Sequence, residues 1–320
     1  MSSAHGSSRP HKRVMSVSLG SSRRDHSAEF VLLDTVVEVT RRGFDGDLAA
    51  AERAIAELDG RVDAIGLGGL DVYLHIAGDR YVIADGERLL RAAPRTPCVD
   101  GSSLKQTLEP AAVRWLAAHG PVPFAGLPVL MVSALDRYGM AEALEAAGCS
   151  VVYGDLMFTA GIPYPVGSLP ELRSLARRLV REMVKLPLRL LYPTGAAQDA
   201  PPEPRFEEAY ARAGLVAGDF PLIRKHLPGP EVMTGKSVLT QTTTVEDRAL
   251  LARSGVRHLF ITTPLLGGRS FGTNVLEAAM VAVLDRPPSE LTAGDFAGVL
   301  AAMDYRPEVL DLQPQDARDG

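Results

Sequence analysis

The chain has 320 residues, a composition 46% hydrophobic and 23% charged, and a formal net charge of -5. That length suits two domains, or one large domain with an extension, around an ordinary core. The negative charge gives no general attraction to nucleic acid or to an anionic membrane, and 6% aromatic residues leave little for stacking bases.

Residues 1–12 are small, polar and basic and read as a disordered leader. No apolar segment follows them, so no signal peptide is expected and the cytoplasm is the expected compartment. Val14 to Leu19 predicts a strand, and Phe30 to Thr40 a strand or a hairpin. An amphipathic helix runs to Leu58 with Ala51, Ile55 and Leu58 on one face. A short strand from Val62 to Leu67 leads to a hairpin over Val72 to Ile83, turning at Gly78-Asp79. A helix near Glu87 to Ala93, a strand at Thr96 to Val99 and a helix ending near His119 complete the first half.

Pro121 and Pro123 mark a boundary at 120–126. Strands are then expected at 129–132, 151–153, 215–218, 237–240 and 258–262. Helices are expected at 139–147, 169–184, 206–213, 221–227, 245–254 and 273–284, with a Pro-rich loop at 193–205. The tail after Pro307 is polar and reads as loose. The fold class is therefore α/β and Rossmann-like: mostly parallel sheets with helices on both faces, in two domains at 13–120 and 121–307, with a tail at 308–320. Ligands of such sheets bind beyond the carboxyl ends of the strands, so chemistry is expected on the loops that follow them.

Five constellations sit on such loops. Ser21, Ser22, Arg23 and Arg24 follow the first strand and suit an anion, the plain alternative being a polar turn with solvated arginines. Gly66, Gly68 and Gly69 loosely match a dinucleotide loop, but a hairpin follows where a helix should start, and Asp71 reads as a turn or site residue. Lys105, in the first turns of its helix, with Asp100 could form a proton-transfer pair, or a helix cap beside an exposed lysine. Asp136 and Asp155 end successive strands and could meet over one cleft, or cap helices. Thr243, Thr263, Arg269, Ser270, Thr273 and Asn274 gather around a helix start and suit a carboxylate or phosphate, unless the threonines only cap helices.

The arginines at 173, 177, 178 and 181 read as a solvated helix face. Cys98 and Cys149 read as buried small hydrophobes, and the scattered histidines have no metal-ligand spacing, so no metal is expected.

The stretches VSLGSSRRD, DAIGLGGLDVYL, VDGSSLKQTLE, SALDRYGMAEAL, YGDLMF, LYPTG and TTPLLGGRSFGTNVLEA resemble a bacterial family commonly labelled quinate 5-dehydrogenase. The resemblance implies oxidation of a ring hydroxyl of quinate, a polyhydroxylated carboxylic acid, with NAD or NADP as cofactor. Local chemistry, rather than any motif carried over from that family, assigns Lys105 and Asp100 as catalytic, with Gly66, Gly68, Gly69 and Asp136 holding the cofactor. The hydroxyls and arginines hold a small anionic metabolite. A non-redox protein that binds or transforms an anionic small molecule is the competing reading, and an ATP-dependent phosphotransferase-like domain a third. No nucleic-acid or membrane partner is expected, and a homo-oligomer is compatible with the sequence.

Overall fold

The computed structural model describes residues 9–185, 201–267 and 269–313, without the side chains of residues 181–183 and 269. The first lobe is built from β1 (His11–Ser18), β2 (His26–Leu32), β3 (Thr35–Gly43), α1 (Leu48–Leu58) and β4 (Ala64–Gly68). It continues with β5 (Tyr73–Ile76), β6 (Asp79–Val82), α2 (Ala84–Arg91), β7 (Cys98–Val99) and α3 (Ser102–His119). Its sheet runs β2-β3-β1-β4-β7, parallel except for β2. β5 and β6 form a separate hairpin whose turn residues Ala77 and Gly78 both have positive φ, 52° and 87°. That turn geometry matches the twist of the paired strands.

The second lobe starts with β8 (Pro128–Met131), α4 (Tyr138–Ala146), β9 (Ser150–Tyr153), α5 (Asp155–Ala160) and α6 (Leu169–Met183). Then come α7 (Glu207–Arg212), β10 (Leu215–Ala217), α8 (Phe220–Lys225), α9 (Pro230–Met233), β11 (Ser237–Thr240), α10 (Val245–Arg253) and β12 (His258–Ile261). A small hairpin, β13 (Leu265–Leu266) and β14 (Arg269–Ser270), precedes α11 (Thr273–Leu284), α12 (Ala293–Ala302) and β15 (Glu308–Asp311). The second sheet runs β15-β12-β11-β10-β8-β9, parallel except for β15.

The expected α/β class with two mostly parallel sheets is what the structure shows. Three boundaries differ from the sequence reading. His11 and Lys12 already belong to β1, where Lys12 bonds Asp285, so the leader is shorter than residues 1–12. The tail at 308–311 is a strand paired antiparallel with β12. The division at 120–126 is the first of three crossings: α11 and α12 return to the first lobe, and β15 goes back to the second sheet. Val275, Leu276, Phe296 and Leu300 share a core with Val14 and Val37 of the first sheet. The chain between Thr292 and Ala302 hid its helix because Gly294 and Gly298 weaken the pattern, although Thr292 and Asp295 form a capping box.

A second core is continuous between the lobes, running from Val17 and Leu67 through Val113 and Leu116 of α3 to Val129, Met131 and Leu144. Among the described residues no helix is long and apolar enough to cross a membrane.

α11 lies directly on β4. A Cβ at Gly66 would stand 2.6 Å from the Asn274 carbonyl oxygen, so only glycine lets the helix approach this closely. Gly66→Ala is expected to displace α11 and cost about 1–3 kcal/mol, the usual scale for overpacking, as read from denaturant unfolding; wild-type stability would show that the contact is not tight.

Candidate functional site

Each sheet changes direction once. In the first, the chain leaves β1 for β3 on one side and for β4 on the other; in the second, it leaves β8 for β9 and for β10. Loops diverge at such switch points and leave a crevice at the strands' carboxyl ends. Here the two crevices face one another across a cavity of about 520 Å³. Ser18, Gly68 and Asp100 line it from the first lobe, and Asp136, Asp219 and Gln241 from the second.

Lys105 stands on its wall and is 5% exposed. It rises from the first turn of α3. Its Nζ lies 2.6 Å from Asp71 Oδ1, on the loop after β4, and 2.9 Å from Asp136 Oδ1, on the loop after β8. Burial disfavours the ammonium, but the Asp136 and Asp71 carboxyls outweigh it and hold the lysine above its ordinary value. The two carboxyls also bond one another and split in behaviour. Burial, then the charge of Asp136, pushes Asp71 well above the usual carboxylate range. Burial opposes charge on Asp136 too, yet Lys105 and Arg137 together hold it well below that range.

Arg137 extends the cluster. It is fully buried and pairs with Glu109 of α3, with Asp219 after β10 at 3.1 Å, and with Asp136 at 3.6 Å. Four carboxyl groups thus share two cations. The environment separates the four: burial pushes Glu109 and Asp219 up, as it does Asp71, while Asp136, which alone touches both cations, is held down. Two carboxyl groups shifted in opposite directions, in contact with an ammonium, can pass a proton to or from a ligand hydroxyl.

Asp100 does not pair with Lys105, and the expected couple is corrected accordingly. Its Oδ2 accepts from the Val72 and Tyr73 amides at 2.5 and 3.0 Å, and its Oδ1 from the Ser102 amide and hydroxyl at 3.0 and 2.6 Å. Both oxygens are occupied by the fold. The residue at the lysine is instead Asp71, the acid that follows the glycines.

The glycine loop does not form a pyrophosphate cradle. Gly66 is covered by α11. At Gly68 a Cβ would meet Ser18 Oγ at 3.0 Å and Asn274 Nδ2 at 3.1 Å. Gly69 has φ 74° and would press a Cβ to 2.9 Å from the Gly20 amide. The space these glycines leave is taken by the protein's own chain, and a hairpin follows in place of a helix. The residues assigned to NAD or NADP therefore do not fit it at this loop, and Asp136 is engaged by Lys105.

Of the residues expected to hold an anion, Arg23, Arg24, Thr243, Ser270, Thr273 and Asn274 line the cavity. Ser21 and Ser22 do not line it: Ser21 is buried, its Oγ accepting from the Arg23 amide, and Ser22 is exposed, its amide donating to Asp45. Thr263 is fully buried, its hydroxyl bonded to the Gln241 carbonyl and Ser270. The Arg269 side chain lies outside the described residues.

Arg41 and His26 join Arg23 and Arg24 on the first-lobe wall. Arg41 donates to Asp25 at 2.8 Å and to Ser18 Oγ at 3.1 Å. Sequence reasoning missed Arg41, Glu109 and Asp219. Asp219 follows a strand and obeys the strand-end rule. Glu109 lies four residues after Lys105 on the same helix face, a charge pairing that a surface reading would dismiss.

Glu277, on the inner face of α11, is 2% exposed. Burial, then the Asp100 carboxylate, pushes it up to about 8 from an ordinary 4.5. A group raised in the folded state contributes stability below its unfolded value and loses it as pH rises through the folded one. The loss therefore spans about pH 4.5 to 8. Glu277→Gln removes this titration, so the variant is expected to gain on the wild type as pH rises across that window, by up to roughly 1.4 kcal/mol per pH unit. Melting curves at pH 5 and 8 check this; a constant difference would contradict it.

Comparison with curated proteins finds no match. Among solved structures, a Mycobacterium smegmatis protein in complex with β-D-fucofuranose is 12% identical with a TM-score of 0.35, covering 96% of this chain and 93% of that one. A solute-binding protein of a Burkholderia multivorans ABC transporter is 12% identical at 0.35, covering 89% and 96%. The hetero-hexameric glutamate dehydrogenase of Thermus thermophilus is 14% identical at 0.40, covering 93% and 76%. Likenesses this weak carry no weight on function. Residues 13–100 match the family described as Domain of unknown function (DUF8753). Residues 103–312, well over half of the sequence, match the one described as Domain of unknown function (DUF8754), and the chain belongs to that family.

Proposed function

We propose that the cleft binds a small polyhydroxylated anion and that Lys105, with Asp71 and Asp136, moves a proton on or off one of its hydroxyl groups. The observation that carries this reading is the Lys105 ammonium, held at 2.6 and 2.9 Å between two buried carboxyls on the wall of a cavity large enough for a metabolite. Acidic side chains suit hydroxyl groups because each carboxylate oxygen accepts from O–H, and the Lys105 ammonium donates in return. Arg23, Arg24 and Arg41 bring positive charge to the same wall for a carboxylate or phosphate, and His26 adds a polar ring.

Nicotinamide-dependent oxidation of the hydroxyl is a second proposal, following from the quinate-type resemblance. What supports it is the Asp136 carboxylate on the cavity wall, which can accept the hydroxyl proton that oxidation of a carbinol must remove, with the Lys105 ammonium beside it to stabilise the developing alkoxide. The glycine loop does not, so a cofactor needs another part of the cleft.

Thermal shift and calorimetry with quinate, shikimate, NAD and NADP separate the readings, since a ligand of the folded state raises the melting temperature. Quinate or shikimate is expected to bind, and Lys105→Met to weaken that binding at least about tenfold, the scale of one charge-assisted hydrogen bond. Unchanged affinity in the variant, or no shift with either acid, would remove the first proposal. No binding of NAD or NADP, with or without the acid, would remove the second.

A further inference from the structure

Beside Asp71, Lys105 and Asp136 lies a second set of buried carboxyls whose oxygens face backbone amides, Asp100 among them although it also reaches the cavity wall. Asp100, Glu277 and Asp155 are 4%, 2% and 7% exposed. Their hydrogen bonds go to backbone N–H groups and to the Ser102 hydroxyl, with no cation among the partners named.

The amides they hold follow a pattern. Asp100 accepts from Val72, the residue after Asp71, at 2.5 Å. Glu277 Oε2 accepts from Leu104, the residue before Lys105, at 3.1 Å. Asp155 accepts from Leu135, the residue before Asp136, at 2.8 Å, and from Ala134 at 3.1 Å. Each acid comes from a different element than the residue it serves: the end of β7, the inner face of α11, and the first residue of α5.

α3 shows why such holders are needed. Its N-cap is Gly101 at φ 92°, which offers no side chain to the first turn. The amides that a capping side chain would satisfy are taken by Asp100 and Glu277 instead. Lys105 therefore stands on a turn fixed from outside the helix. Glu277 lies one turn along α11 from Thr273 and Asn274, which line the cavity, so one helix both faces the ligand and fixes the lysine.

We propose that Asp100, Glu277 and Asp155 are positioning residues, each clamping the backbone beside one member of the Asp71–Lys105–Asp136 group. This rests on the reading of Lys105 given above, but it is testable without any ligand. Burying three carboxyls is costly unless every lone pair is used. The arrangement uses them on the three peptide units that set where the reactive side chains point. Burial pushes Asp155 up to about 6 even though three backbone amides favour its charge, in line with a group kept for its geometry.

The test is the reactivity of Lys105 toward acetic anhydride at pH 8, followed by peptide mass spectrometry, with exposed Lys225 as the internal control. In the wild type Lys105 is expected to react far more slowly than Lys225. Asp155→Ala, Asp100→Ala and Glu277→Ala are each expected to raise its rate about tenfold, the population change that follows loss of a buried hydrogen bond, with Lys225 unchanged.

The conservative variants should divide. Glu277→Gln keeps one acceptor oxygen for the Ser103 and Leu104 amides and should restore protection in part. Asp155→Asn should not, because both carboxylate oxygens accept and the amide would set N–H against N–H. Wild-type Lys105 reactivity in folded alanine variants, or equal behaviour of Glu277→Gln and Glu277→Ala, would overturn the proposal.

If the alanine variants fail to fold, hydrogen exchange on the wild type decides. The Val72, Leu104 and Leu135 amides are expected to exchange only as slowly as the core; fast exchange at these sites would overturn it. Because neither readout uses a ligand, both stand even where quinate and shikimate fail to bind.

Discussion

The molecule depends on a buried cluster in which Lys105 and Arg137 are shared among Asp71, Asp136, Glu109 and Asp219. Lys105 and Glu109 come from α3, Asp71 from the loop after β4, and the others from loops after β8 and β10. No one lobe can complete it. Removing one partner of a buried pair leaves a charge unsolvated, at a cost of about 3–5 kcal/mol. The cluster therefore fixes how the two sheets present their carboxyl ends to each other, while the continuous core through α3 supplies the apolar contact around it.

The same constraint generates the chemistry. With more acids than cations, burial cannot keep all of them charged, and the environment sorts them. Asp136, against both cations, is held well below the usual carboxylate range; Asp71, buried and against only one, is pushed well above it. Proton donor, proton acceptor and ammonium thus arise side by side from one packing arrangement. The acids that hold the neighbouring amides fix the backbone from which this arrangement reaches the cavity wall. The arginines around residues 23–41 give the cavity a second, oppositely charged region. A guest with hydroxyls at one end and an anionic group at the other matches both.

Much of the fold was legible because strand and helix periods alternate cleanly along the chain. The hairpin at 73–82 and the strands from β8 to β12 lie where apolar runs and turn residues place them. What was hidden follows from long-range effects. The helix at 293–302 carries two glycines and is stabilised by packing on the first lobe, and β15 is too short and polar to stand out before its partner β12 is known. The site was partly legible: Lys105 and Asp136 could be named from strand-end position. The pairing was misread because Asp100 is nearer in sequence, whereas space brings Asp71 to the lysine. The glycines at 66–69 were informative for a different reason than expected, since their missing side chains make room for α11 and for the Gly20 backbone.

The most direct test of the central claim is a crystal structure of the protein with quinate bound. The account predicts a ring hydroxyl within about 3 Å of Lys105 Nζ or of the Asp71 or Asp136 carboxyl, with the carboxylate toward the arginine side. Quinate seated elsewhere, touching none of the three, would contradict it.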